Sequence, residues 1–183
     1  MLEDIDKSTL LKLARQTLES HFAGEEPPEP VDLRAPLLSR KGAFVSLHQD
    51  GELRGCIGQI FPYREVYKTV RGCAFSAAFE DSRFPPVTLE ELPRLTIEIS
   101  ILSPLRSIQS VEEIEVGRHG IYMIKGFHNR GLLLPQVAVE YKWNRMEFLT
   151  YTCRKSGLPD TAWRDPETEI YIFDAEVFSE EPE

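Results

Sequence analysis

The residues best suited to chemistry stand in Leu53-Arg54-Gly55-Cys56-Ile57-Gly58, where a thiol lies between glycines two positions after an arginine. A thiolate is the nucleophilic form of cysteine, and a nearby cation favours it. Flanking glycines let a backbone approach a ligand closely. In a regular strand Arg54 and Cys56 would point to the same face. The opposite reading is as physical: a free cysteine is a small hydrophobe that is usually buried. A general base for such a thiol is available in His119, within Gly117-Arg118-His119-Gly120. A histidine in a glycine turn also commonly bonds only to backbone. Glu98 lies mid-strand on a polar face. Carboxylates are depleted in sheets, so Glu98 either meets solvent or orients a substrate. Gln136 and Glu140 follow an apolar run and either face a pocket or cap a helix. Glu80, Asp81 and Arg83 are read as a local ion-pair knot, with Glu80 and Arg83 also candidates for substrate contact.

Other chemistries lose ground. GxGxxG, the phosphate loop, HExxH, GxSxG and the kinase signatures do not occur. The four histidines are scattered and the three cysteines form no C-x-x-C pair, so no metal site, cofactor site or disulfide framework is expected. The formal net charge of -9 disfavours nucleic acid. Such binding would need Arg34, Arg40, Lys41, Arg54 and Arg64 to cluster. No run approaches the roughly 18 apolar residues of a membrane span. The acidic N-terminus is unlike a signal peptide, and a cytoplasmic protein is expected.

The elements that must position these residues are legible in part. Leu10, Leu11, Ala14, Leu18 and Phe22 recur at helical spacing over residues 6 to 23, and Gly24 can end that helix. A proline-rich connector follows. Residues 42 to 48 read as a strand, Asp50-Gly51 as a hairpin turn, and residues 52 to 57 as the return strand. A stripe of small residues from Val66 to Ala78 predicts a helix able to approach a sheet closely. Thr88 with Glu91 resembles a capping box for a short helix. Residues 95 to 103 alternate as a strand. A helical turn is expected at 110 to 114, and a second hairpin over 120 to 134 joined by His128-Asn129-Arg130. A short helix is expected at 136 to 143, a helix capped by Asn144 and stopped by Gly157, and a last strand at 169 to 178. Hairpins dominate crossovers, so the expected fold is α+β, a mostly antiparallel sheet with packed helices.

The wider context of the cysteine segment resembles the AMMECR domain family. LRGCIG at 53–58 is followed by AAFEDSRFPPVTLEELPRLTIEISILSP at 77–104, VGRHGIYM at 116–123, GLLLPQVAVEYKW at 131–143 and FLTYTCRKSGLPDTAW at 148–163. These segments stand in the family's order and cover about residues 8 to 178. The chain looks like the prokaryotic, AmmeMemoRadiSam-type form. The resemblance implies one α+β domain over 1–183, with a flexible tail at 179–183 and a smaller α/β subdomain within about 50–95. It implies association with a Memo-like protein and a radical SAM protein. It carries over Arg54, Cys56, Glu80, Asp81, Arg83, Glu98, His119, Gly120 and Gln136 as family-pattern positions.

Two readings of function stand side by side. In one, the chain is an enzyme or enzyme component with Cys56 as nucleophile or carrier, Arg54 as its cation, His119 as base, and Glu98 or Gln136 orienting substrate. In the other, it is a binding or scaffold module. Cys56 then fills a small hole against Ala74 and Ala77, and Arg54 pairs with Glu98 or Glu80. A role in RNA modification is a further alternative without support from the charge.

Overall fold

The computed structural model describes residues 2–180. Its first helix, α1 (Asp4–Ala23), forms where the apolar spacing places it, burying Leu10, Leu13, Ala14 and Leu18. Full burial of a leucine side chain contributes about 1.5–3 kcal/mol. A reciprocal box between Glu3 and Asp6 satisfies first-turn amides. Gly24 ends the helix in the left-handed region at φ 69°. The connector holds one short helix, α2 (Ala35–Leu38), which the proline pattern had concealed.

The hairpin forms as expected, from β1 (Ala43–Gln49) and β2 (Glu52–Gln59). Asp50 and Gly51 both take positive φ, 53° and 82°, the geometry that matches the strands' twist. The register carries one irregularity. Leu47 faces Gly55 and His48 faces Leu53, so Arg54 is an extra residue on β2. Helix α3 (Val66–Phe79) buries Val70, Cys73, Ala74, Ala77 and Ala78. The Thr88–Glu91 signal proves to be a turn, followed by a 3₁₀ turn at Leu92–Arg94. Strand β3 (Leu95–Leu102) pairs antiparallel with β1. Val45, Leu47, Ile97 and Ile99 are fully buried in a core shared with α1 and α3.

Beyond Ser103 come β4 (Arg106–Ser107), a capped 3₁₀ turn at Val111–Glu113, β5 (His119–Lys125) and β6 (Asn129–Leu133). Lys125 pairs with Asn129, so the hairpin tip is 126–128 rather than the expected His128-Asn129-Arg130. Gly126 explains the shift, because it supplies the positive φ, 63°, that the tip requires. Then follow α4 (Pro135–Glu140), α5 (Arg145–Lys155) with its Asn144–Glu147 capping box, a 3₁₀ turn at Ala162–Arg164, and β7 (Glu169–Ser179).

The contacts divide the chain into two units. Among the described residues, one holds 2–102 together with 176–180; the other is Ser103–Ala175. Within the first, β1 lies between β2 and β3, and the end of β7 borders β3. Glu180, beyond β7, donates its amide to the Ile97 carbonyl at 2.9 Å. The Glu180 carboxylate accepts from Arg15 Nε at 3.0 Å. Residues 179 and 180 are therefore held, and 181–183 of the expected tail lie outside the described residues. Residues 50 to 95 fall wholly inside this first unit. Within the second unit, β7 lies between β4 and β5, and β6 pairs with β5. Its own core joins Ile121, Met123, Phe148, Leu149, Cys153 and Ile172. The fold is α+β on antiparallel pairings, as the hairpin signals indicate.

Candidate functional site

Cys56 owes its position to the extra residue in β2. An uninterrupted hairpin from Asp50-Gly51 would set Cys56 opposite Val45, on the core face. With Arg54 inserted, Cys56 instead faces Ser46, and Gly55 and Ile57 take the core side. Ser46 in turn faces Glu98 on β3. Cys56, Ser46 and Glu98 thus form a row across three strands on the face opposite the helices. The Ser46 hydroxyl donates to Cys56 Sγ at 3.2 Å. Ser46 carries no sequence signal as a site residue; only the register reveals it.

The core side explains the glycines. A Cβ on Gly55 would overlap the carbonyl oxygen of Ala77, so β2 and the end of α3 touch backbone to backbone there. A Cβ on Gly58 would overlap the Phe44 ring lying across the strand. Ala77 therefore meets Gly55, not Cys56.

The outer edge of β2 is closed by the loop after α3. The Cys56 amide donates to Asp81 Oδ2 at 2.9 Å, and the Cys56 carbonyl accepts from Arg83 Nη2 at 3.2 Å. Arg83 also grips Asp81 through two side-chain bonds of 3.0 and 2.7 Å. An ion pair thus satisfies a strand edge that would otherwise present open backbone groups. The Asp81 side chain is 4% exposed, and Arg83 holds its carboxyl well below the usual range. Glu80 turns away and accepts from the Ser76 hydroxyl at 2.6 Å.

Arg54 is committed elsewhere. Its Nε and Nη2 donate to the Glu91 carboxylate at 2.7 and 3.1 Å, and Nη2 reaches the Pro86 carbonyl at 3.3 Å. Glu91 also accepts the Thr88 amide at 2.8 Å. Its carboxyl lies at about 2, held down chiefly by Arg54. The partner of Arg54 is thus Glu91 rather than the expected Glu98 or Glu80. Glu91 stands 37 residues away in sequence, and the turn motif gave it a different local duty.

Together these contacts form a clasp between residues 54–56 and 81–91. The Cys56 thiol beside it is half-buried. Burial raises the Cys56 thiol above its ordinary value; the Ser46 bond and Arg83 oppose that rise, while Asp81 and Glu98 add to it. Cys73 is pushed up to about 12 by burial on the α3 stripe. Cys153 is fully buried on α5, its sulfur 3.5 Å from that of Met123. A groove of about 990 Å³ near the hairpin turn is lined by Arg15, Glu19, His48, Arg94 and Glu180 among others, and Cys56 is not among its lining residues.

The remaining candidates belong to the second unit. His119 is 5% exposed at the start of β5. Its Nδ1 accepts the Glu115 amide at 3.0 Å, which puts the proton of the neutral ring on Nε2. Arg118 beside it bridges Glu115 and Asp174. Gly120 lies against the Phe173 ring. Gln136 occupies the first turn of α4 after Pro135, and Glu140 is exposed at its end. Among the described residues no group of three or more histidine, cysteine or carboxylate side chains is arranged to hold a metal. No described helix is long and apolar enough to cross a membrane.

An antiparallel α+β chain whose LRGCIG strand is clasped by an EDSRFPP loop defines a recognisable class. The AMMECR1 family model matches residues 11–178, and the chain belongs to that family. It is similar to Protein NEQ441 of Nanoarchaeum equitans, 38% identical over 94% of this chain and 99% of that protein. A Thermococcus gammatolerans protein is 44% identical over 94% of this chain and 89% of its own length. The crystal structure of the uncharacterized protein PH0010 from Pyrococcus horikoshii superposes with a TM-score of 0.94 at 39% identity, covering 99% of this chain and 94% of that one.

Proposed function

We propose that the protein is a non-catalytic binding component acting with a Memo-like protein and a radical SAM protein in the cytoplasm. The observation that carries this reading is the state of LRGCIG. Its arginine is tied to Glu91, its Cys56 amide and carbonyl are taken up by Asp81 and Arg83, and burial pushes the half-buried thiol above its ordinary value. These commitments support reading the motif as a clasp rather than as a nucleophile's setting. The partners follow from the prokaryotic form of the family. The three unpaired cysteines support a reducing compartment. Nucleic acid remains disfavoured by the net charge of -9. Of the five basic residues such binding would need, Arg34 is paired with Glu3 and Asp6, and Arg54 with Glu91.

A second reading, an enzyme centred on Cys56, has one observation in its favour. Sγ, the Ser46 hydroxyl and Glu98 share a row across three strands, with the hydroxyl donating to Sγ at 3.2 Å. Reconstitution with purified Memo-like and radical SAM proteins separates the two. Wild type and Cys56→Ser should bind both partners equally and support the same product formation. Failure to associate, or loss of output in a folded Cys56→Ser protein, contradicts the proposal.

A further inference from the structure

Two segments that carry the family resemblance play no part in the clasp, yet they meet on one surface of the second unit. Tyr141 and Trp143 follow α4, and Tyr151 and Arg154 lie on α5. Trp143 and Tyr151 stack with centroids 4.0 Å apart and 5° between planes. Tyr141 stacks on Trp143 at 5.0 Å and 18°. At the Tyr151 end the Arg154 guanidinium sits 4.9 Å from the ring centroid. Asp160 fixes that guanidinium through bonds of 2.8 and 2.7 Å. The result is a ladder of three rings closed at one end by a cation.

The ladder is set by backbone, not by packing alone. The Trp143 amide donates to the Ala138 carbonyl at 2.8 Å and the Tyr141 amide to Val137 at 3.1 Å. Lys142 takes φ 55° to make the turn. Such a preformed platform loses little freedom on binding. Its other end is open: Tyr141 is 61% exposed. An aromatic face carries negative potential and attracts cations. Glu140 and Lys142 are both exposed beside it, and the chain as a whole is acidic, with a net charge of -9.

We propose that the open face of Tyr141 seats an arginine guanidinium from a basic segment of a partner protein, repeating at this end what Arg154 does at the other. The acidity of the chain favours a basic protein segment over nucleic acid.

The test titrates the intact protein with the peptide acetyl-Gly-Arg-Gly-Arg-Gly-amide and with its uncharged citrulline counterpart. The two indole N–H resonances are followed by NMR. The Trp143 signal should shift saturably with the arginine peptide, more weakly with citrulline, while Trp163 stays in place. Tyr141→Phe should retain the affinity. Tyr141→Leu, which keeps apolar area but loses the π-face, should weaken it about two- to fivefold. If Tyr141→Leu does not fold, the citrulline comparison decides. Absence of a saturable shift, equal affinity for both peptides, unchanged affinity in a folded Tyr141→Leu, or tighter binding of a uridine oligonucleotide overturns the proposal.

Discussion

At the scale of residues, the LRGCIG segment is defined by where its polar groups are directed. A carboxylate accepting charged and backbone donors strongly prefers its ionised form, and both carboxylates of the clasp do so. Asp81 is held low by Arg83 and by the Cys56 amide. Glu91 falls from an ordinary 4.5 to about 2, chiefly through Arg54. Folded-state values below unfolded ones stabilise the protein fully above the unfolded pKa, and that contribution is lost as pH falls towards the folded value. Urea unfolding should therefore show wild type losing stability between about pH 5 and 3. Glu91→Gln, less stable at neutral pH, should lose about 1–3 kcal/mol less across that window. Equal pH slopes for the two proteins would remove the Arg54–Glu91 pair from the account.

At the scale of elements, one inserted residue decides what the hairpin presents. Arg54 as the extra residue turns Cys56 onto the face of Ser46 and Glu98 and places Gly55 against the end of α3. Gly55→Ala should cost about 1–3 kcal/mol, because the Ala77 carbonyl is backbone and cannot rotate aside. A melting temperature equal to wild type would show that β2 and α3 separate freely there. The longer helices, the Asp50-Gly51 turn and the alternating β3 were legible because each rests on local periodicity or a turn residue. The β-bulge was not, since nothing in Leu53-Arg54-Gly55 distinguishes it from regular strand. The site suffered accordingly. Cys56 was readable as special, but Ser46 depends on the shifted register, and the Arg54–Glu91 pairing joins residues whose own neighbourhoods suggest other duties. The short α2 escaped for a related reason: prolines mask a helix of four residues.

At the scale of the whole molecule, each unit carries its own apolar core and its own distinctive surface. The first holds the clasp and the row of Cys56, Ser46 and Glu98. The second holds His119, engaged with the Glu115 backbone, and the aromatic ladder. The chain is similar to archaeal proteins over nearly their full lengths, and its fold is similar to that of PH0010. A binding component needs surfaces that are rigid before a partner arrives. The ion-paired edge of β2 and the backbone-set ladder both have that character, which is why association with partner proteins is the reading we favour over chemistry at a thiol.

The central claim, that Cys56 belongs to a clasp and is not an activated nucleophile, is tested most directly by its alkylation as a function of pH. Iodoacetamide modification would be mapped by peptide mass, which separates Cys56 from the sealed Cys73 and Cys153. The account predicts a rate at pH 7 below that of a free cysteine peptide, with an inflection above the ordinary thiol pKa of about 8.5. An inflection at or below pH 7, or modification faster than the free peptide, would contradict it.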